Sequence, residues 1–552
     1  IHFILSDVLI FLPPAKNSST LPQVFVFVKF VAFNLAFTMG SEDADVCVPT
    51  LVKDFIFDLC DSVTLSQIPD EQSKLYNTTF RDLCTKYYAQ SPWPSPQSIA
   101  EECNGHPLFL AIYRELTQRH FHSVTRPTIQ DRLEGWTVYR ELLDELLDDE
   151  NSSSSNHSAP PFFLTPEWTF DILHEFVYQF QGFCQFRSAV YASFNKFKQN
   201  SATGANIPQH VQDNLHHIAN NPDAWAVETV IMYLNKLMQI GSSSKVAGYQ
   251  YLGVFASIVL SRLECLLGDY DGCLLAADRM SRVMVSAQHL SSSPVNEVSA
   301  TELVQSVISA RLSYAYHAGV AYLMTRRFQA CWSILGDACT DLYRGFQTGQ
   351  YRTVSDLFPK LYDRMLALLA ITLHSCPPRN SVDENLIKMI REKHGSQLVK
   401  MEEGVASAYE SLFVFGSPKF ITPTVRSNGG LDNYKLQVRQ FHQLMSAQKH
   451  SHKLRSYLKL YTSIETQKLA AFYDTSDDDL RSLVISLKHQ MRQKEVEGDY
   501  KEALDIHYHL NGNMIHVDDA EKQRRFEDFF IKEIRLSLEI QKSLAQTGTA
   551  LS

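Results

Sequence analysis

In the last fifth of the chain the apolar positions fall into a helical stripe and then into strict alternation. Leu480, Leu483, Val484, Leu487 and Met491 recur at i, i+3, i+4, i+7 and i+11, which predicts one buried helical face. Ser476 stands where an N-cap belongs, with Asp479 three residues on. Upstream, Leu454–Ile464 is an amphipathic run. A short helix is predicted over Ile464–Phe472, with Ser463 as its cap and Leu469, Ala470 and Phe472 as its apolar residues. Beyond the long stripe the period drops to two. Ile506–Leu510 and Asn513–Val517 flank Asn511-Gly512, a pair suited to the positive φ angles of a type I′ hairpin turn. Pairing across that turn sets Tyr508 opposite Ile515 and Ile506 opposite Val517 on one face, and His507 opposite His516 on the other. Strand 513–517 is expected at or near a sheet edge. Helix, turn, helix and hairpin over 433–517 make a winged helix.

The rest of the pattern is helical. Leu51, Phe55, Leu59 and Val63 recur every four residues, as do Leu108, Ile112 and Leu116, with Pro92, Pro94 and Pro96 as a stiff break between. This N-terminal helical region covers 39–150. Residues 151–161, rich in Ser and closed by two prolines, are too polar to bury and read as a linker. Thr165 then caps a helix that takes Pro166 at its first position, and Phe170–Phe186 is apolar on several faces, so neighbours must enclose it. Between Asn221 and Cys376 helix-turn-helix units follow in series. Leu266–Tyr270 and Tyr322–Phe328 each turn one helix onto the next, and Leu361–Leu373 is a further, very apolar helix. The predicted fold is mainly all-α, an α-solenoid of helical repeats over 162–430 that runs into the winged helix. A last helix within 518–552 carries Phe526, Phe530, Ile534 and Leu538 on one stripe, widened by Phe529, Leu536 and Ile540. That stripe is broader than the winged helix alone can cover.

Composition narrows the function classes. The chain has 552 residues, enough for two or three domains, and 45% apolar residues to fill their cores. A net charge of −10 argues against a general coat for nucleic acid, though not against a local basic patch. Ten cysteines lie scattered with no Cys-x-x-Cys pair, the pattern of reduced thiols. Leu21–Phe37 is apolar apart from Gln23, Lys29 and Asn34, which is short for a membrane span, and the first methionine is Met39. Residues 1–38 are therefore expected to stand outside the fold, and no membrane partner is expected.

Candidate chemistry is sparse. His120, His122 and Asp131 have some of the residue types of a zinc triad, but the spacing is off, and they read as surface side chains at a helix end. His174-Glu175 lacks the second histidine of a zinc protease. No phosphate-cradling loop or nucleophile elbow is present, so no enzyme activity, cofactor, metal or small-molecule substrate is expected. In the second helix of the winged helix Asp477, Asp478 and Asp479 favour the helix dipole but would repel phosphate, against sequence-specific reading of DNA. Lys453, Arg455, Lys459, Lys488 and Arg492 form a weak candidate set for RNA contact. His507, His509, Asn511, Met514 and His516 on the hairpin, with Phe526, Phe530, Ile534 and Leu538 after it, form the candidate partner interface.

A helical solenoid entering a winged helix is the architecture of PCI-domain proteins. Tyr178–Arg187, Leu266–Tyr270, Ala321–Phe328, Ser456–Thr462, Met514–Val517 and Asp528–Ile531, with Pro92–Pro94, closely resemble the subunit L family of eukaryotic translation initiation factor 3. The resemblance spans about Thr50 to Leu538; the leader, the serine linker, 188–220 and Gln493–Ala503 depart from it. It implies a non-catalytic cytoplasmic scaffold subunit, assembled with other PCI subunits, K and E among them. It also implies support of 43S pre-initiation complex formation and of mRNA recruitment to the small ribosomal subunit. The alternatives are a PCI subunit of the proteasome lid or signalosome, or an RNA-binding winged-helix protein.

Overall fold

The computed structural model describes residues 48–64, 68–89, 91–100, 103, 105–153, 163–200, 207–286, 297–349, 357–376, 384–424, 432–448, 451–494, 500–502, 506–518, 530, 533–538 and 541. The leader, 154–161 of the expected linker, and Phe526, Phe529 and Ile540 of the expected C-terminal stripe lie outside them. The described residues begin with α1 (Thr50–Thr64), whose buried stripe keeps Phe55, Leu59 and Val63 of the predicted set and adds Val52 and Ile56, while Leu51 is exposed. Then come α2 (Pro69–Lys74), which passes through a single π-turn into α3 (Phe80–Tyr87), and the four-residue α4 (Pro96–Ile99) after the prolines. Three long helices follow: α5 (Pro107–Val124), α6 (Ile129–Ser153) and α7 (Pro166–Asn200). Residues 151–153 thus continue a helix.

The aromatic run of α7 is enclosed as its sequence requires, with Trp168, Phe170, Phe176, Phe180 and Phe183 all buried. Its start is fastened by Gln72, whose amide donates to the carbonyls of Ser62 and Phe163 and accepts from the Thr165 N–H at 2.6 Å. Thr165 precedes the helix as expected, yet its hydroxyl has no hydrogen-bond partner among the described residues. The buried charge around Arg119 is paired. Arg119 bridges Glu115 at 3.2 Å and donates to the Tyr76 hydroxyl, which donates to Asp171, while Tyr139 donates to Glu115. Removing one member would strand the others in low dielectric, a loss of about 3–5 kcal/mol.

The solenoid stacks α8 (Gln209–Asn220), α9 (Val227–Ser243), α10 (Ala247–Leu267) and α11 (Tyr270–Ser281). A short ladder of β1 (Met284–Ser286) with β2 (Glu297–Ser299) leads to α12 (Ala300–Ser306) and α13 (Ile308–Met324). Next are α14 (Phe328–Thr348), α15 (Leu357–Ser375), α16 (Glu384–Glu402), α17 (Ala406–Gly416) and α18 (Asn433–Gln448). Both predicted helix-turn-helix joints are present. Gly268 closes α10 at φ +91°, and the Asp269 carboxylate accepts from the Gly272 N–H to start α11. Arg326 takes φ +62° in the joint before α14.

Two apolar cores result among the described residues. One gathers Val52 to Ala310 with Ile421, the other Cys265 to Ile515. Helix α10 belongs to both, and all of it but Gln250, Glu264 and Leu267 is buried. It is long and apolar enough to cross a membrane, but 83% of that window lies inside the fold, so it is a core helix. The second core continues into the winged helix: α19 (Ser451–Leu460), β3 (Ser463–Glu465), α20 (Thr466–Tyr473), α21 (Asp477–Met491), β4 (Arg492–Lys494) with β5 (Tyr500–Glu502), β6 (His507–Asn511) and β7 (Met514–Asp518). Helix α18, within the stretch read as winged helix, stacks Phe441 on Phe413 of α17 with ring centroids 4.0 Å apart.

Candidate functional site

The long stripe of α21 is built by Leu480, Val484 and Leu487, all buried, with Leu483 half-buried and the Met491 side chain outside the described residues. The Ser476 hydroxyl accepts from the Asp479 N–H and donates to its carboxylate. The shorter helix begins later than predicted. Ser463 and Ile464 do not cap and open it; they form strand β3, paired with β7 (Ile464 with Ile515), and α20 begins only at Thr466. Ile464 is buried by that pairing, and local sequence cannot see a partner some fifty residues away.

The hairpin register also differs. The pairs are Asn511–Met514, Leu510–Ile515, His509–His516, Tyr508–Val517 and His507–Asp518, so the turn residues are Gly512 and Asn513. Gly512 supplies positive φ, +56°, at the first central position, as a II′ turn asks, instead of Asn511-Gly512 forming a I′ turn. The physical reason is tertiary. Arg481 of α21 donates to the Gly512 carbonyl at 3.1 Å and to the Asn513 side-chain oxygen at 2.7 Å, and the Thr466 N–H donates to the Asn513 carbonyl. The slip is by two, so the faces survive: Ile506, Tyr508 and Ile515 are buried together. The histidine partner of His516 becomes His509, its ring 5.2 Å away and nearly parallel. The sheet order is β3-β7-β6, which puts strand 514–518 in the centre and corrects its expected place at an edge; β6 is an edge instead.

The candidate RNA set divides once placed. The Lys488 ammonium donates to the Tyr508 carbonyl at 2.7 Å, and Arg492 opens β4 opposite Glu502, so both serve the wing. On α19 Lys453 is exposed, lying 5.0 Å over the Tyr473 ring, while Arg455 is half-buried and Lys459 exposed. Of the interface set, His507, His509, Asn511, Met514 and His516 lie along β6 and β7. Residues 533–538 are helical, with Phe530 60%, Ile534 59% and Leu538 52% exposed.

Neither histidine lead becomes a metal site. His120 is half-buried and hydrogen-bonded to the Tyr88 carbonyl, not a surface side chain, and Asp131 instead accepts from Thr128 at the start of α6. Burial, with Arg132 nearby, pushes His122 down to about 4. His174 is bonded to Arg262 inside the first core. No group of three or more His, Cys, Asp or Glu side chains among the described residues is arranged to hold a metal ion.

Tyr457 of α19 stacks on Phe472 of α20 (centroids 5.4 Å, planes 23° apart) and meets Tyr473 edge-on at 5.8 Å. The spacing of each ring within its helix was readable, but their meeting depends on how α19 packs on α20.

Eukaryotic translation initiation factor 3 subunit L of Xenopus tropicalis is 27% identical over 508 residues, 85% of this chain and 83% of that protein. Those of Gallus gallus and Homo sapiens are 27% and 26% identical over 512 residues, each covering 86% of this chain and 83% of the relative. A family model described as RNA polymerase I-associated factor PAF67 matches residues 131–536, from α6 through the winged helix into the segment after it. That match takes in well over half of the sequence, and the chain belongs to this family.

Proposed function

We propose that this chain is a non-catalytic scaffold subunit of a translation initiation factor 3 assembly in the cytoplasm. It joins other PCI subunits, K and E among them, and supports 43S pre-initiation complex formation and mRNA recruitment to the small ribosomal subunit. The relatives named above support the assembly. The observation that carries the scaffold role is the exposed stripe of Phe530, Ile534 and Leu538. Elsewhere the large apolar side chains of the long helices are mostly enclosed, whereas these three stand at i, i+4 and i+8 in water. Burying each is worth about 1.5–3 kcal/mol, so a partner helix with a matching stripe gains roughly tenfold or more in affinity per fully buried contact. The wing offers a second contact through its edge strand β6, where His507, His509 and Asn511 are exposed.

The test is Ile534→Asp with Leu538→Asp in a tagged chain. The expected result is an unchanged melting temperature of the isolated protein and loss of co-purifying initiation-factor subunits. A large drop in melting temperature with intact co-purification would show that the stripe serves its own fold.

A further inference from the structure

The basic residues of the winged helix do not act as one patch, and the part that stays on the surface is organised around rings. Within 451–473 there are four basic residues, Lys453, Arg455, Lys459 and Lys468, against one acid, Glu465, in a chain whose net charge is −10. Helical geometry sorts them. Lys453 shares a face of α19 with Tyr457, one turn on, and Lys468 shares a face of α20 with Phe472, one turn on. Arg455 and Lys459 each lie two residues from Tyr457 and point elsewhere.

The result is a short ladder. Lys453 lies over Tyr473, Tyr473 meets Tyr457, Tyr457 stacks on Phe472, and Lys468 stands one turn before Phe472. The outer ring is accessible, since Phe472 is 37% exposed, and Leu460, one turn beyond Tyr457, is 76% exposed. The acids nearby are Glu465 and Asp474, exposed at the two ends of α20, and Asp477, Asp478 and Asp479 in the first turn of α21, of which Asp477 is paired with Arg481. Aromatic faces bracketed by ammonium groups suit unstacked bases on a charged backbone. Each base stacked on a ring contributes to affinity whatever its identity, and each lysine neutralises a phosphate.

We propose that the α19–α20 face is a binding site for single-stranded RNA, with Phe472 and Tyr457 as the stacking platform and Lys453 and Lys468 as phosphate contacts. This goes beyond the scaffold reading and does not depend on it, because the site lies within one chain. It assigns no role in RNA binding to Lys488 or Arg492.

The experiment measures fluorescence anisotropy of a labelled short oligouridine with the purified full chain. Phe472→Leu, which keeps an apolar side chain and removes the ring, should weaken binding by about fivefold or more. Lys453→Gln with Lys468→Gln should weaken it further and flatten the salt dependence, since two phosphate contacts contribute about −1.4 to the slope of log K against log salt. Duplex RNA, whose bases are already stacked, should compete poorly. Circular dichroism of each variant confirms the fold, and the lysine pair, fully on the surface, keeps the test valid if Phe472→Leu proves unstable. Undetectable binding at about 50 mM salt would overturn the proposal. So would affinity unchanged in both variants, or duplex competing as well as single strand. Unchanged RNA affinity with loss of co-purifying protein in Phe472→Leu would assign the ladder to a protein partner instead.

Discussion

Glu175 shows how a single buried residue in α7 sets the response to pH. Its carboxyl lies inside the first core, accepts one hydrogen bond from the Gln179 amide at 3.0 Å, and is pushed up to about 8 by burial. In the unfolded chain it would titrate near 4.3. The folded state therefore holds a proton that the unfolded state releases, and stability falls as pH rises from about 4.3 through 8. The buried histidines act in the opposite sense. Burial holds His122 near 4 and His317 near 3, against about 6.5 unfolded, so stability falls as pH drops below 6.5. Above about 6.5 the histidines no longer contribute and Glu175 remains. The expected outcome is a melting temperature that declines between about pH 6.5 and 8.5 in the native chain and is flatter in Glu175→Gln. An equal slope in both, followed by circular dichroism, would remove Glu175 as the cause. None of this was readable beforehand: the sequence shows His174-Glu175 as a failed metal motif, and only packing shows how deeply they are enclosed.

Elements were legible where their signals are local. Ser476 and the α21 stripe, the Gly268 and Arg326 joints, and the aromatic helix after Pro166 all follow from residues within a few positions of one another. The wing's faces were legible too, because a register slip of two preserves them. Its exact pairing was not, since Arg481 reaches across from α21 to hold Gly512 and Asn513. The Asp477 carboxylate, bonded to Thr466 and Arg481 and thereby held below the usual carboxylate range, completes that clamp. Arg481→Ala should thus loosen the turn more than a surface change would, with faster amide exchange at Asn513–Ile515; unchanged exchange would show that the strand pairing alone fixes the register. A second element-scale contact lies where α9 crosses α10. A Cβ on Gly253 would come within 2.8 Å of the Gly241 Cα and 3.3 Å of the Leu237 carbonyl, all backbone atoms that cannot swing aside. Gly253→Ala should cost about 1–3 kcal/mol by overpacking, read as a lower denaturation midpoint. A midpoint at or above that of the native chain would mean that the helices slide apart freely.

At the scale of the whole molecule the two cores are joined at the C-terminal end of α10, where the segment before α18 returns to meet it. The Ile421 N–H donates to the Leu266 carbonyl, and the Asn433 amide donates to the carbonyls of Leu267 and Ile421 at 3.0 and 2.8 Å. The Tyr270 hydroxyl donates to Gln437, whose amide nitrogen sits 2.4 Å from where a Cβ on Gly268 would stand. The Leu266–Tyr270 turn was legible as a helix-turn-helix joint, but its meeting with 421–437 could not be foreseen, because the two halves are some 165 residues apart. It can be tested by comparing two glycines. Gly268 and Gly512 both hold positive φ, at +91° and +56°, so alanine at either carries a backbone cost of about 1 kcal/mol. At Gly512 the added methyl meets nothing within 4 Å, whereas at Gly268 it displaces the Gln437 amide and its bond to Tyr270. Gly268→Ala should therefore lose about 1–2 kcal/mol more than Gly512→Ala, the worth of a broken buried hydrogen bond. It should also separate the melting of the two cores, seen as noncoincident calorimetric and tryptophan-fluorescence transitions. Four of the five tryptophans, Trp93, Trp136, Trp168 and Trp225, lie in the first core and Trp332 in the second, so fluorescence reports mainly the first. Equal losses in the two variants, with coincident transitions, would place the coupling in the shared packing of α10 rather than in this joint.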